Sequence, residues 1–199
     1  KFLNENTNLI IVYHLRWSIK LLSTWFDNEE GYKEEVKLTI PDAYFEPFNI
    51  KTYSQEERQK YIIENLMSQI ERITNQGHKL ILVYPVPEMG FNVPRNLLKT
   101  IVKNRISTND VLPVLSGSYD VYKKRNKLIF EALDSIENKN IYRVYPHTFF
   151  CDGQIKNRCI ANDQENLFYF DDDHLSLKGS EFIAKQIIKE IEKIENNKY

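Results

Sequence analysis

Three short runs divide the chain, of which two are uninterrupted apolar runs and the third is apolar except for Arg143. They cover residues 9–13, 80–84 and 141–145, and a proline follows the second and the third run directly. Apolar runs of this length without polar alternation are typical of strands that are buried on both faces of a sheet. The pattern therefore predicts three buried strands, and a shorter apolar stretch at residues 167–170 is a candidate for a fourth.

Helical periodicity occupies the segments between these runs. Ser54 and Glu57 form a capping-box signal ahead of one helical pattern, and Gly77 marks its end. Apolar residues return at helical spacing in residues 118–136 and 182–194. Strands that alternate with helices form a parallel sheet covered by helices on both faces. The chain is therefore predicted to be a three-layer α/β sandwich.

The ends of the predicted strands indicate where a functional site would lie. Active sites of parallel sheets lie beyond the carboxyl ends of the strands. The segments at these ends are residues 14–17, 85–88 and 146–148, and we expect them to share one rim of the sheet. Residues 27–53 and 88–116 show no regular pattern and are predicted to be surface elaborations or a lid.

Size and charge exclude several classes of protein. The 199 residues, of which 42% are hydrophobic, suffice for one domain with a sizeable core. The 27 basic and 28 acidic residues leave no basic excess that would indicate a nucleic-acid partner, and no block of charge indicates an anionic membrane surface. No apolar run reaches the length of a membrane span, and no signal peptide opens the chain. The mostly polar residues 1–8 predict that the domain was cut from a longer protein.

The strongest candidate for chemistry is the loop ahead of the last helical pattern. It places Asp171 and His174 three residues apart, and Ser176 is the predicted N-cap of the helix that follows. A short loop with this spacing can turn both side chains to one point, where Asp171 would hold the His174 ring in the tautomer of a general base. Two alternatives are a solvated acidic turn, and a hard-cation site on residues 171–173 that recruits further carboxylates from elsewhere.

Arg16 and Trp17 follow the first apolar run and belong to the same predicted rim. Arg16 can stabilise an oxyanion or bind an acidic sugar group, and Trp17 can stack on a sugar ring. The alternative is an arginine paired with a surface acid beside a core tryptophan. His14, His78 and His147 are predicted to be structural, and His147 is the one that lies near the rim.

Cys151 and Cys159 are the two cysteines of the chain. A structural zinc site is not expected, because no further cysteine and no neighbouring histidine would complete it. The loop between them contains glycine and asparagine and can close as a disulfide, which is usual in exported proteins and rare in the cytosol. The number of cysteines alone leaves the compartment open.

Three blocks of sequence occur in a specific order. They are the strand that ends in Arg16-Trp17, the segment 83–88 with Pro94-Arg95, and the stretch from Cys151-Asp152 to the Asp-Asp-Asp-His-Leu-Ser-x-x-Gly motif that ends at Gly179. Over nearly the whole chain, this order resembles the SGNH domain fused to the C-terminus of acyltransferase-3 membrane proteins. The resemblance implies a flavodoxin-like SGNH-hydrolase fold for residues 1–199 as a single domain.

One departure from the family concerns the nucleophile. The family's serine lies in a Gly-Asp-Ser segment after its first strand, and no Gly-Asp-Ser occurs in this sequence. The nearest match, Ser116-Gly117-Ser118, precedes a helical pattern but follows no predicted strand and contains no Asp. The resemblance therefore implies that the domain is truncated and lacks its first strand, or that the parent protein has lost the serine. Many SGNH enzymes also use an Asn in the block that corresponds to Arg16-Trp17. This sequence has no Asn in that block, so the residues that would form the oxyanion hole are not identified.

The resemblance also implies a function. It implies an O-acyltransferase that moves an acetyl group to a hydroxyl of a cell-envelope glycan, with His174, Asp171 and a serine from outside this chain. A membrane acyltransferase domain of the parent protein would deliver the acetyl group, and the domain would be a periplasmic or extracytoplasmic part of an inner-membrane protein. No cofactor, metal or nucleic acid is expected, and export predicts a Cys151–Cys159 disulfide. The alternatives are a carbohydrate O-acetyl esterase and a non-catalytic glycan-binding domain.

Overall fold

The computed structural model describes residues 2–34, 54–107 and 110–196. The strands are β1 (Ile10–Tyr13), β2 (Lys79–Val83), β3 (Ser116–Ser118), β4 (Ile141–Val144) and β5 (Arg158–Ile160). The helices are α1 (Phe2–Glu5), α2 (Trp17–Leu22), α3 (Gln55–Asn75), α4 (Val93–Asn104), α5 (Tyr119–Asp134), α6 (His147–Phe150) and α7 (Leu177–Asn196). No helix of these segments combines the length and the apolar character that crossing a bilayer requires.

The central sheet has the order β1-β2-β4, and both strand pairs are parallel. Its three strands coincide with the three apolar runs, so the predicted parallel α/β sheet is confirmed. Strands β3 and β5 form a separate antiparallel pair. The fourth predicted strand is wrong, because residues 167–170 form only isolated bridges, at Leu167 and at Tyr169.

Strand β2 lies at the centre of the core and separates two hydrophobic clusters. Ile81 and Val83 contribute to a cluster that contains residues of α7, whereas Leu80 and Leu82 contribute to one that contains residues of α3 and α5. Because neighbouring side chains of a strand point to opposite faces, this division is the signature of a sheet covered on both sides. The predicted three-layer arrangement is therefore confirmed.

The helix boundaries follow local capping signals. The predicted capping box of Ser54 and Glu57 is present at the start of α3, and Gly77 follows the helix end with a positive φ of 85°. The Ser118 hydroxyl accepts a hydrogen bond from the amide of Val121 at 3.3 Å and caps α5. Ser116–Ser118 thus forms a short strand that leads directly into a helix, and the element before it is α4, so this segment precedes a helix and follows no strand, as predicted.

The prediction of irregular structure over residues 88–116 is wrong, because this segment contains α4. The signals for a helix start were present: the Asn92 side chain accepts a hydrogen bond from the amide of Arg95, and a proline occupies the first turn. The other segment predicted to be irregular is described only in part. Residues 27–34 form a turn closed by a bridge between Asp27 and Lys33, and residues 35–53 lie outside the described residues.

Candidate active site

The loop between Phe170 and Ser176 is fixed at both ends by hydrogen bonds. The amide of Phe170 donates to the carbonyl of His174 at 2.7 Å, and the Ser176 hydroxyl donates to the carbonyl of Leu167 at 2.6 Å. Ser176 also caps α7, since its hydroxyl accepts a hydrogen bond from the amide of Gly179 at 3.1 Å. The predicted N-cap is thus confirmed, and it couples the loop to the longest element of the C-terminal region.

Asp171 and His174 are hydrogen-bonded, as their spacing predicts. Asp171 Oδ2 lies 2.9 Å from His174 Nδ1, while Oδ1 accepts hydrogen bonds from the amides of Asp173 at 3.1 Å and His174 at 2.8 Å. With its proton on Nδ1 facing Asp171, the ring presents Nε2 as its basic nitrogen. The imidazole side chain is 73% exposed, and no residue of the described segments forms a hydrogen bond with Nε2. This is the geometry of a general base open to a reactant.

The electrostatics of the loop favour an ionised Asp171. Burial raises the pKa of Asp171, but the amides of His174 and Asp173 and the His174 ring outweigh this effect, so the pKa lies below its ordinary value. The hydrogen bond to Asp171 raises the pKa of His174, and the nearby Asp173 adds to this against the effect of desolvation. Burial raises the pKa of Asp173 to about 6, despite the opposing charges of Arg16 and His174.

Arg16 forms an ion pair with Asp173 of this loop. Its Nε lies 2.9 Å from Asp173 Oδ2, and the other oxygen of Asp173 lies 3.1 Å from His174 Nδ1. Its Nη2 lies 2.6 Å from Glu34 and 2.9 Å from Glu88. Desolvation lowers the pKa of Arg16, but these carboxylates raise it by a larger amount, so the pKa lies above its ordinary value. Since all three guanidinium nitrogens face protein carboxylates, the structure assigns Arg16 to an ion-pair network instead of the expected oxyanion or sugar contact.

Trp17 does not offer an aromatic face to a sugar. Its side chain is only 3% exposed, and its indole N–H donates to the carbonyl of Val83 at 2.9 Å. The ring also makes an edge contact with Tyr13, with 5.5 Å between the ring centroids. The expected stacking role is therefore corrected. Trp17 begins α2 and fills the space beneath the end of β2, which is the structural alternative that the sequence left open.

Sequence reasoning missed most of the network around Arg16. Glu88 accepts hydrogen bonds from both Arg16 and Arg125, and its carboxylate is almost entirely buried. The position of Glu88 directly after the second apolar run was a signal that it belongs to the rim. Nothing in the sequence indicates Arg125, which lies inside α5, or Glu34, because only the tertiary fold brings them to this place.

A cavity of about 420 Å³ lies beside His174. It is bounded by side chains from the ends of β1 and β2 and from α5, among them His14, Pro85, Glu88 and Asn126. The Nδ1 atom of His14 lies 3.1 Å from the carbonyl oxygen of Val83, which gives this histidine the structural role predicted for it. The carboxyl ends of the first two strands and the Asp171 loop therefore share one rim, as expected.

The end of β4 forms a neighbouring cavity of about 400 Å³ around His147. The rings of Tyr119, Tyr122 and Phe130 surround His147, with centroid distances of 5.4 to 6.2 Å. Burial lowers the pKa of His147, and its Nδ1 has no hydrogen-bond partner in the described segments. The hydroxyl of Tyr122 donates to the carbonyl of Pro85, so a single residue contacts the walls of both cavities.

The side chains of Asp171, Asp173 and His174 could in principle hold a metal ion, because one ligand atom of each lies within 4.8 Å of the others. The oxygens are already engaged, however. Asp171 Oδ1 accepts two amide hydrogen bonds, and Asp173 Oδ2 faces Arg16. A cation would have to compete with the guanidinium group, and no further carboxylate joins this cluster among the described residues. The geometry favours the acid–base arrangement over the cation alternative.

The disulfide between Cys151 and Cys159 is present, as predicted. It joins the end of α6 to β5. Phe150 packs against Tyr169, with 5.7 Å between the ring centroids, and the Tyr169 hydroxyl donates to the carbonyl of Pro87 at 2.8 Å. The disulfide thus supports the buried aromatic residues on which the loop of Asp171 and His174 rests.

A parallel α/β sheet with an Asp–His pair in the loop before the last helix defines an SGNH-hydrolase-type domain. The family model of the SGNH domain (fused to AT3 domains) matches residues 1–189. The chain therefore belongs to this family, which confirms the resemblance and identifies an SGNH-type acyltransferase and esterase family. No curated protein and no solved structure gives a significant match to the chain.

Proposed function

We propose that the protein is an O-acyltransferase that moves an acetyl group to a hydroxyl of a cell-envelope glycan. The observation that carries this proposal is the Asp171–His174 hydrogen bond, which leaves the exposed Nε2 of His174 beside a cavity of about 420 Å³. An imidazole oriented by an ionised carboxylate is the base that acyl transfer through a serine requires. Membership in a family fused to AT3 domains supports acyl transfer as the reaction class.

The nucleophile in this proposal is a serine from a segment outside the sequence given. The hydroxyls of Ser18, Ser118 and Ser176 form hydrogen bonds with other groups of the described segments, and none of these bonds involves His174. The Gly-Asp-Ser segment of the family is absent from the sequence. A serine that reaches Nε2 of His174 would complete the triad with Asp171.

The reaction then proceeds in two transfers. The serine oxygen attacks the acetyl carbonyl while His174 Nε2 takes the hydroxyl proton, and this proton passes to the departing donor group. The acetyl group is then bound to serine as an ester. A glycan hydroxyl attacks this ester, His174 takes its proton, and the proton returns to the serine oxygen as the acetylated glycan leaves. In both steps, ionised Asp171 stabilises the imidazolium.

The aromatic cavity at His147 supports a glycan as the acceptor. Sugar rings bind aromatic side chains through their apolar faces, and Tyr119 is a partly exposed ring beside Lys123 and Lys127. Because Tyr122 contacts the walls of both cavities, a sugar held at His147 would lie next to the cavity of His174. We propose that this cavity holds a sugar residue adjacent to the one that is acetylated.

The donor and the compartment are part of the same proposal. A membrane acyltransferase domain of the parent protein would deliver the acetyl group, as the fusion of this family's SGNH domain to AT3 domains suggests. The Cys151–Cys159 disulfide supports an oxidising compartment, because such bonds are rare in the cytosol. The proposed location is therefore the periplasmic or extracytoplasmic side of the inner membrane.

The test uses the chain extended by the upstream segment of its gene. A purified O-deacetylated envelope glycan and an acetyl ester donor should give acetylated glycan, and a short-lived acetyl-serine should be detectable by mass spectrometry. His174→Ala should abolish both products. Full transfer activity in His174→Ala would refute the mechanism. Persistent glycan binding without any acetyl transfer or hydrolysis in the extended wild-type protein would favour the non-catalytic glycan-binding domain.

One observation favours an esterase as the second candidate. The His174 side chain is 73% exposed, so water has free access to the atom that activates the attacking hydroxyl. The same triad would then hydrolyse acetyl esters of a carbohydrate. The two activities differ in their response to the acceptor: glycan should raise donor turnover by a transferase, whereas an esterase should release acetate at the same rate with or without it.

A further inference from the structure

Helix α4 has an exposed face whose chemistry the proposed reaction does not use. On its inner side, Val93 and Leu97 are buried in the domain. On its outer side, Leu98 and Val102 lie one helical turn apart and expose 63% and 69% of their surface. A helix that covers a domain needs one apolar stripe, so this second stripe is not explained by the packing of the fold.

Four cations accompany the exposed stripe. Arg95, Lys99 and Lys103 follow one another at intervals of four residues along α4, and Arg105 is its C-cap. All four are exposed, and none forms a salt bridge within residues 2–34, 54–107 and 110–196. No Asp or Glu occurs between residues 89 and 109, whereas the whole chain has 27 basic and 28 acidic residues. Positive charge is therefore concentrated on this helix.

The sequence alone shows no block of charge that indicates an anionic membrane surface, whereas the fold brings these cations together. Three residues separate Arg95 from Lys99 and Lys99 from Lys103, and one residue separates Lys103 from Arg105, so the cations form no contiguous block. A helix aligns residues four apart on one side, so the fold assembles Arg95, Lys99 and Lys103 into a row. Leu98 and Val102 form a parallel row beside it.

We propose that the outer face of α4, formed by Arg95, Leu98, Lys99, Val102 and Lys103, binds the surface of a membrane that contains anionic phospholipids. Cations on an exposed helix are attracted to acidic headgroups, and aliphatic side chains beside them enter the boundary of the acyl chains. A soluble polyanion would contact the cations but would leave the apolar row in water. The combination of both rows therefore favours a bilayer as the partner.

Contact through this face would also orient the candidate active site. The amide of Met89 donates to the carbonyl of Asp172 at 2.8 Å, and the amide of Val93 donates to the carbonyl of Asp171 at 2.9 Å. The first residue of α4 is thus bonded directly to the loop that carries His174. A bilayer bound to α4 would hold this loop at a fixed height above the lipid surface.

The test measures binding of the 199-residue chain to vesicles. We expect co-sedimentation with vesicles of phosphatidylcholine and phosphatidylglycerol, weaker binding at high salt, and little binding to phosphatidylcholine alone. Lys99→Gln with Lys103→Gln should weaken binding roughly thirty-fold, because each cation near an anionic surface contributes about 1 kcal/mol. Leu98→Ser with Val102→Ser should weaken it several-fold through the lost apolar contact.

A matched control exists on α5. Lys123 and Lys127 have the same spacing as Lys99 and Lys103, and their substitution by glutamine removes the same charge. They pair with Asp120 and Glu131, however, and no exposed apolar row lies beside them. Lys123→Gln with Lys127→Gln should leave vesicle binding almost unchanged, and thermal unfolding should show that all variants fold.

Three results would overturn the proposal. The first is equal loss of binding in the α4 and α5 variants, and the second is equal binding to both kinds of vesicle. The third is a loss caused by the lysine substitutions but not by Leu98→Ser with Val102→Ser, which would indicate a soluble polyanion or an acidic protein. Vesicle binding requires no catalysis, so these outcomes are independent of the proposed acyl transfer.

Discussion

His174 and His147 both lie beyond the carboxyl ends of the parallel strands, yet their surroundings are opposite. His174 is exposed and contacts two carboxylates, and its pKa is raised, first by its hydrogen bond to Asp171. His147 is half-buried among aromatic rings, its Nδ1 has no partner in the described segments, and burial lowers its pKa. The residue type and the position in the fold are shared, so neither of them makes a histidine a base.

The difference lies in what holds the ring. A carboxylate on Nδ1 fixes the tautomer and stabilises the charged form, and exposure lets Nε2 meet a substrate. The His147 ring is enclosed by Tyr119, Tyr122 and Phe130, and desolvation lowers its pKa while no charged partner among the described residues offsets this effect. This comparison supports the proposal of base chemistry at His174 and of a binding or structural role for His147, and each of the following predictions tests one part of it.

The largest expected difference is between His174→Ala and His147→Ala in the extended protein. His174→Ala should lower kcat by roughly 10⁶-fold, the loss seen when the histidine of a Ser-His-Asp triad is removed. His147→Ala should affect mainly KM for the glycan, because no reacting atom contacts it in the proposed mechanism. Steady-state kinetics with glycan and acetyl donor measure both. A comparable fall of kcat in both variants would contradict the division of roles.

A second difference is expected between Asp171→Asn and Asp172→Asn. The first variant should lower kcat by about 10⁴-fold, because an amide cannot stabilise the imidazolium and favours the wrong tautomer. The second makes the same chemical change one position away, where the side chain forms no hydrogen bond with His174 among the described residues, and should stay within a few-fold of wild type. If Asp173→Asn caused the large loss and Asp171→Asn did not, the partner of His174 would be Asp173.

Arg16→Gln should destabilise the ion-pair network beside His174 and leave the aromatic surroundings of His147 unchanged. It would leave Glu34, Glu88 and Asp173 without their shared cation, and we expect a loss of about 2 to 3 kcal/mol in the free energy of unfolding. The matched control is Arg158→Gln, since Arg158 pairs with the more exposed Glu30 and should lose less than about 1 kcal/mol. Urea denaturation measures both free energies of unfolding. Equal losses in the two variants would show that the network around Arg16 stabilises the protein no more than the exposed ion pair does.

The smallest effect is a difference in titration. His174 must be neutral to act as a base and its pKa lies above 6.5, so activity should fall as the pH drops through a value above 6.5. His147 should become protonated only below 6.5, because burial disfavours its charged form. Nitrogen-edited NMR of the two rings measures both values, and Asp171→Asn should move the His174 titration to lower pH. A His147 that titrates above His174 would reverse the comparison.

How much of this could be predicted from sequence depends on the distance between partners along the chain. Asp171 and His174 are three residues apart, so one turn brings them together and the motif alone predicted their hydrogen bond. Strand β2 could be predicted equally well, because a strand that is buried on both faces appears in the sequence as an unbroken apolar run. Arg16, by contrast, meets residues 18 and 72 positions away, and a single sequence contains no signal for such contacts.

Two further errors have different causes. Trp17 was placed at the rim correctly, but sequence cannot show whether a rim residue points outward or beneath the strand end. Helix α4 was missed although Asn92 and a proline marked its start, because its apolar residues lie on two sides and obscure the periodicity of a helix with one buried face. The irregularity in the pattern was itself the signal of an exposed apolar row.

Gly179 has a consequence for anyone who reads this domain through mutational scanning. A Cβ atom at this position would lie 2.1 Å from the carbonyl oxygen of Phe168, so even alanine would force α7 away from the segment that precedes the loop of Asp171 and His174. A screen scored by activity would rank position 179 alongside His174, although glycine has no group that could take part in a reaction. Abundance and activity therefore have to be scored separately before any position in this motif is interpreted as chemical.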